Sequence, residues 1–573
     1  MRWCIHLVIG VVSVATTGCT SKTSADPRAA AAQTAAAPAP APSEVNAPAP
    51  ADLGPGKDGY YPFAYALAQG ERLDNREAPV PIQCYTKTNG VSNPCWTCHT
   101  ASTFPNLRND DELQVEYAFS SYGETNHWTN AFTDRSQTAA MLSDGATLAY
   151  IREDNYGPVR DVLQGNVPAW AYPFDLDFAA GFDDDGFAKD GTGWRAFRYK
   201  PFPGTFWPTN GATDDVMIRL PEAFRSREGA AAPAVYRANL AILEASFASD
   251  PTTPDADLLW PSEPLDETAL GIDLDGDGVL NPAVRVLRGL PKTYLGDASD
   301  HPVRRGVYPK GTEFVHSVRY LDPDAPGMIA TRMKELRYMR KEKNPLRRNY
   351  VAVYESEAND KEKGVLPRYG GNAKTGLLNP FGWRVQGYIE DAQGRLRLQT
   401  YEEHMFCMGC HSSIGVTADS TFSFARKVPG SSGWAYQNVD DIPDVPQVGH
   451  EHGEIRAYFE RVGGGDELRA NREVLARFFA DGHLDTEQVD RAAVGGDMFL
   501  PFLIAPSRNR ALALNKAYWA LVKEQGFAKG RDTLLSPPQN VHAKIENGST
   551  DLADAGKTYR DGRLQLAWPE SLR

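Results

Sequence analysis

Two five-residue stretches carry the chemistry most openly written in this chain. Cys95-Trp96-Thr97-Cys98-His99 and Cys407-Met408-Gly409-Cys410-His411 both read C-x-x-C-H. Two thiols three positions apart can each form a thioether to one vinyl group of a haem, and the His that follows then meets the iron from the proximal side. The pattern is the c-type haem attachment signature. Composition alone would give about 0.002 such patterns in a chain of this Cys and His content, and two are present. A thioredoxin-like pair has no need of a His after the second Cys in both copies, and a zinc site wants its four ligands gathered. The expectation is two covalent haems c, attached at Cys95, Cys98, Cys407 and Cys410, with His99 and His411 as proximal iron ligands.

The sixth iron ligand separates an electron carrier from an enzyme, because two strong protein ligands favour electron passage and an open position admits peroxide or oxygen. His316 is the leading candidate distal ligand: Phe314, His316, Val318 and Tyr320 alternate onto one face of an expected strand, where a buried imidazole needs a hydrogen-bond partner or a metal. His127 is the second candidate. His404 lies too close to Cys407 to cross to the far side of that haem, although it could reach the other. His450 and His452 flank Glu451 at what reads as a solvated helix entrance. Cys84, 11 residues before Cys95, reads as a small buried side chain near the first motif.

A second constellation is Asp273-Leu274-Asp275-Gly276-Asp277-Gly278-Val279-Leu280-Asn281, whose alternating acids and Gly at the sixth position match the start of an EF-hand-like calcium loop. Val284 stands where a bidentate Glu is expected, so the loop needs an acid from elsewhere. Asp273, Asp275 and Asp277 are the candidate ligands of a structural Ca2+. Asp214-Asp215 sits in a turn-like stretch and reads as a solvated pair.

The elements that must position these residues suggest an α+β fold with much irregular structure. Residues 57–228, aromatic and rich in Gly and Pro, read as an irregular first haem region. Residues 229–402 read as a strand-rich middle that holds the calcium-like loop, opens on a helix near Tyr236 to Ala248, and ends in a hairpin of Trp383 to Asp391 against Arg395 to Thr400. Residues 403–573 read as a helical second haem region. Its apolar stripes are Ile455, Tyr458, Phe459 and Val462; Val474, Leu475, Phe478 and Phe479; and Leu514, Tyr518, Leu521 and Val522 after the cap Ser507. No internal repeat appears beyond the two motifs.

Met1-Arg2 followed by the apolar run Trp3 to Ala15 reads as an export signal over 1–18. Thr16-Thr17-Gly18-Cys19 resembles a bacterial lipoprotein cleavage site, departing from it at Thr16 where Leu is usual, and that resemblance makes Cys19 the lipid-bearing residue. Residues 19–56 then read as a lipid anchor and an Ala/Pro-rich tether. The net charge of -14 and the lack of a basic block exclude a nucleic-acid partner, and no apolar run reaches the roughly 18 residues of a spanning helix. The motifs and the export signal together resemble the multihaem c-type cytochromes. That resemblance implies electron transfer in the cell envelope, lipid-anchored and periplasm-facing or at the outer membrane, with redox proteins of an exported chain as partners. A weaker resemblance to di-haem peroxidases and di-haem oxygenases implies instead an enzyme with one open haem, and the size of the chain favours that second class.

Overall fold

In the computed structural model the chain is described over residues 59–573, apart from 89–90, 102–108, 117–118, 165–170, 363–368, 413, 464–470, 533 and 573. The export signal, Cys19 and the tether lie outside the described residues.

The alternating sequence of the middle region builds an antiparallel sheet. Its strands are β1 (Arg195–Ala196), β2 (Thr213–Arg219), β3 (Glu313–Leu321), β4 (Ile329–Lys341), β5 (Gly370–Asn372), β6 (Gly376–Leu378), β7 (Trp383–Glu390) and β8 (Leu396–Leu398). They lie in the order β1-β2-β3-β4-β7-β6-β5, with β8 paired to β7. The expected hairpin forms, pairing Tyr388 with Leu398 and Glu390 with Leu396. The fold is α+β, as its sequence implies.

β4 lies at the centre of the sheet and yet carries Arg332, Lys334 and Glu335 in buried positions. Charges enter a sheet interior only when paired or facing a polar site, because an unpaired ion out of water is costly. Its register against β3 shows how they are aimed. Val318 pairs with Glu335 and Arg319 with Met333, so Lys334 is an extra residue with no partner, a β-bulge. Such bulges re-aim side chains beside functional sites.

Helices cover the sheet and extend the core. The helix expected near Tyr236 is α1 (Pro233–Ala248), with Pro at its first turn. α2 (Tyr401–Met408) follows the hairpin directly, and Thr400 caps it in a reciprocal box with Glu403. The three C-terminal stripes fall on α3 (Glu454–Val462), α4 (Arg472–Phe478) and α5 (Arg508–Glu524). Ser507 caps the last of these, and Phe479 leaves its stripe for a short strand. No helix among the described residues is long and apolar enough to cross a membrane.

The three regions read from the sequence do not fold as separate bodies; residues 52–573 form one unit. β1 and β2 from the first region join the middle region's sheet. The C-terminal segment returns to the first region, where Thr86 bridges Val541 and Thr125 bridges Lys544.

Candidate functional site

The two C-x-x-C-H stretches adopt the same local turn. In the first, a single 3-10 turn over Pro94–Thr97 is capped by Asn93, whose side chain accepts from the Cys95 amide. The His99 amide then donates to the Cys95 carbonyl at 2.8 Å. In the second, Cys407 ends α2, and the His411 amide donates to the Cys407 carbonyl at 3.0 Å. Each turn gathers two thiols and one imidazole at one place. The five described cysteines form no disulfide. Burial pushes all four motif thiols up, Cys95 to about 12 and Cys410 to about 11, and the Cys410 thiol adds to the rise at Cys98.

All six motif residues that would attach or ligate a haem line one cavity of about 830 Å³, near the top of the usual range for ligand sites. Direct backbone contacts join the motifs. The Val416 amide donates to the Cys98 carbonyl at 3.2 Å. Asp110 accepts from the Thr100 amide and the Gly415 amide, both at 2.9 Å. The approach is close enough to require glycine: a Cβ on Gly415 would stand 2.3 Å from the Thr100 carbonyl oxygen, and one on Gly409 2.2 Å from that of Pro79.

The imidazole of each motif is held through Nδ1. His99 Nδ1 lies 3.1 Å from the Asp110 carboxylate, and His411 Nδ1 lies 2.9 Å from the Ser420 carbonyl. An anchored Nδ1–H fixes the tautomer and leaves Nε2 as the lone-pair donor, the arrangement of metal-ligating histidines. Burial pushes His411 down to about 4, so its ring is neutral. Unpaired thiols in pairs, pinned imidazoles and a shared cavity suit a haem at each motif. Nothing local in the sequence marks Asp110 or Ser420 for this work.

The distal candidates part company. His316 lines the cavity from β3 together with Phe314 and Val318, while Tyr320, next along that face, is buried behind the lining among Tyr150 and the cavity-lining Tyr518. Its Nε2 is buried without a hydrogen-bond partner, 3.4 Å from Asp214 Oδ2, and its ring meets Phe206 edge-on. His127 is not among the cavity's lining residues; its ring stacks on Tyr122, and Nε2 lies 3.2 Å from the Tyr122 carbonyl. His404 is saturated, donating to the Thr400 carbonyl and accepting from the Gly387 amide. Cys84 lines the cavity half-buried.

Asp214 and Asp215 are not solvated turn residues. Both are buried on β2, where Asp215 accepts from the Ser317 amide and hydroxyl. Asp214 lines the cavity and accepts from Tyr199 Oη. Glu77, also on the cavity, is 4% exposed with one carboxylate oxygen unpartnered, and burial raises its pKa.

One wall of the cavity is charged. Glu335 Oε2 receives Arg337 and Arg531, each at 2.9 Å. Burial alone would raise Glu335, but the two guanidinium groups hold it at about 2. Lys334 Nζ donates to the Gly211 carbonyl at 2.6 Å and lies over the Tyr518 and Tyr320 rings.

The acidic loop differs in detail from its sequence reading. Asp273 and Asp275 gather with Glu267, their ligand oxygens within 4.8 Å of one another, while Asp277 stands outside that group. Glu267, six residues before Asp273, brings to the loop an acid from outside the sequence pattern. Its carboxylate already accepts the Leu274, Asp275 and Asn281 amides, and Asp273 accepts those of Gly276 and Gly278.

Residues 69–494 match a lipoprotein family. The chain is also 32% identical over 547 residues, 84% of its own length and 91% of the other, to an uncharacterized lipoprotein of Aquifex aeolicus (strain VF5). The chain belongs to this lipoprotein family. It is accordingly a lipid-anchored envelope protein. No solved structure matches the lipoprotein significantly. The match begins after the tether and spans both C-x-x-C-H motifs, the sheet and the helices up to α4.

Proposed function

We propose that this lipoprotein is a di-haem c-type cytochrome that passes electrons within the cell envelope. Cys95, Cys98 and His99 hold one haem, and Cys407, Cys410 and His411 hold the other. A haem at each motif supplies one-electron chemistry at its iron. The observation that carries the reading is that two separate C-x-x-C-H turns, 312 residues apart in sequence, open on one cavity with both imidazoles pinned through Nδ1. The chain's own residues bind and orient: the thiols tether, Asp110 and Ser420 aim the rings, and the aromatic walls exclude water. His316, whose Nε2 is buried on the cavity wall without a hydrogen-bond partner, would serve as the distal ligand of the haem at His411. Redox proteins of an exported chain are the partners, and Cys19 is the lipid-bearing residue, placing the body on the periplasm-facing side or at the outer membrane.

Spectra of the oxidised and reduced holoprotein test this reading. A carrier gives two low-spin irons that ignore carbon monoxide. Cys19→Ser should leave soluble or unprocessed protein; a variant still processed and membrane-bound contradicts the anchor.

One observation favours a second reading, a di-haem peroxidase- or oxygenase-like enzyme. The His316 Nε2 sits beside the Asp214 carboxylate, a pairing suited to moving a proton, and Glu77 offers a further cavity-lining carboxyl. One high-spin iron that binds carbon monoxide would select it.

A further inference from the structure

The charged wall of the cavity contains donors that nothing among the described residues answers. Lys334, Arg337 and Arg531 line it against the two carboxylates Glu335 and Asp532. Glu335 serves both guanidinium groups through one oxygen, Oε2, which also accepts from Gln399. Arg531 is 7% exposed, and although its terminal nitrogens reach Glu335 and the Glu403 carbonyl, its Nε is buried with no acceptor. Tyr518 is 3% exposed, and its Oη is likewise buried with no partner. Lys334 Nζ lies 4.1 Å from the Tyr518 ring centre. A tyrosine hydroxyl and an arginine Nε both donate, and each left unpaired in a dry interior costs about 1–3 kcal/mol. Burial pushes Lys334 down to about 7 against the pull of Glu390, Glu335 and Asp532, so an anion at its Nζ would favour the charged ammonium.

The bulge makes this an arranged feature of the sheet. Without the extra residue, Lys334 and Glu335 would alternate to opposite faces of β4; with it, both reach the same cavity. A bulge that brings an ammonium to a wall already holding two guanidinium groups is poor design for an empty space and good design for a negatively charged occupant.

We propose that Lys334, Arg531 and Tyr518 form an anion site within the cavity that takes a carboxylate or a small oxyanion of similar shape. Two sources present that chemistry. One is a propionate of a haem held at the motifs, which rests on the function proposed above. The other is a diffusible anion that enters the cavity, which does not.

The test uses the full-length holoprotein, with Tyr518→Phe and Lys334→Met. Acetate is the probe, titrated against chloride at constant ionic strength, and the readouts are the melting temperature and the pH dependence of the two midpoint potentials. A diffusible anion raises the wild-type melting temperature saturably with acetate, and both variants weaken that response at least tenfold. A propionate leaves the wild type indifferent to acetate, but both variants then displace the pH dependence of one midpoint potential. Tyr518→Phe decides the matter if Lys334→Met does not fold, since it removes only a hydroxyl. With an anion in place the loss of its donor lowers the melting temperature, and with none the loss of an unpartnered buried hydroxyl raises it. Indifference to acetate together with unmoved potentials and a more stable Tyr518→Phe would overturn the site. A protein that carries no covalent haem would sink the function proposed above and leave the acetate titration to decide this one.

Discussion

The first and second attachment motifs share a backbone turn and a cavity, yet their surroundings differ. His99 rests on a carboxylate, that of Asp110, whereas His411 rests on a neutral carbonyl, that of Ser420. A carboxylate partner strengthens the electron donation of a ligating imidazole, so the two haems are expected to differ in potential, with the lower value at His99. The second motif also has the sheet for a neighbour, since α2 packs on β6 and β7, while the 3-10 turn of the first packs on α3 and sets Trp96 edge-on to Tyr559 of the returning C-terminal segment. Under the proposed function, an asymmetric pair of this kind would give electron flow a direction without any internal repeat of sequence.

The largest effect tests whether there are two such sites. Replacing Cys407 and Cys410 by Ala, or Cys95 and Cys98, should lower the covalent haem count from two to one. The retained haem should shift in potential, because the two motifs bound one cavity. An unshifted remaining haem would mean that the two do not sense each other.

His316→Gly sharpens the asymmetry. It should convert the iron at His411 from low-spin to high-spin and open it to carbon monoxide while the iron at His99 keeps its electron paramagnetic resonance signal. Unchanged spectra at both irons would return His316 to the role of a packed wall residue paired with Asp214.

Acid should act on the second motif's side through Glu335. Its pKa is about 2 in the folded protein against an ordinary 4.5, so the stability it contributes is full above pH ~4.5 and is lost as pH falls towards 2. The shift corresponds to roughly 3 kcal/mol at neutral pH. Urea unfolding between pH 5 and 2.5 should show the wild type losing stability more steeply than Glu335→Gln, and equal slopes would contradict the assignment.

Asp110→Asn addresses the first motif. It removes the carboxylate from His99 and weakens the bonds to Thr100 and Gly415, at a cost of about 1–3 kcal/mol in urea unfolding. The potential of the haem at His99 should rise towards that of its neighbour. A change confined to the His411 haem would reverse the comparison.

The smallest effect is expected far from both motifs. If the acidic loop holds calcium, chelator should lower the melting temperature by a few degrees, Asp275→Ala should abolish that response, and Asp277→Ala should keep it. Both haem spectra should stay unchanged throughout. A metal-free protein whose melt ignores chelator leaves a hydrogen-bonded acidic turn.

Features written in short-range sequence patterns were legible. The C-x-x-C-H turns, α1 (16 residues), the β7–β8 hairpin and the stripe of α3 all declare themselves within short segments, because periodicity and turn chemistry act locally. What packs those pieces together was not. β4 is rich in charged side chains, and their burial depends on partners remote in sequence, such as Gln399 and Arg531, 64 and 196 residues from Glu335. Asp214 and Asp215 resemble a solvated turn until β3 supplies Ser317 and His316. Glu267 lies outside the calcium pattern because it reaches the loop through space, and Tyr518 belongs to a helical stripe that explains its ring and leaves its hydroxyl unaccounted for.

The central claim is that both motifs carry haem covalently. The most direct measurement is the mass of the mature full-length chain after denaturation and extraction with acidified organic solvent. The account predicts a chain that retains two haems, falling to one when either pair of cysteines is replaced. A chain that gives up its haem to the solvent, or that carries none after expression with covalent haem-attachment machinery, would contradict it.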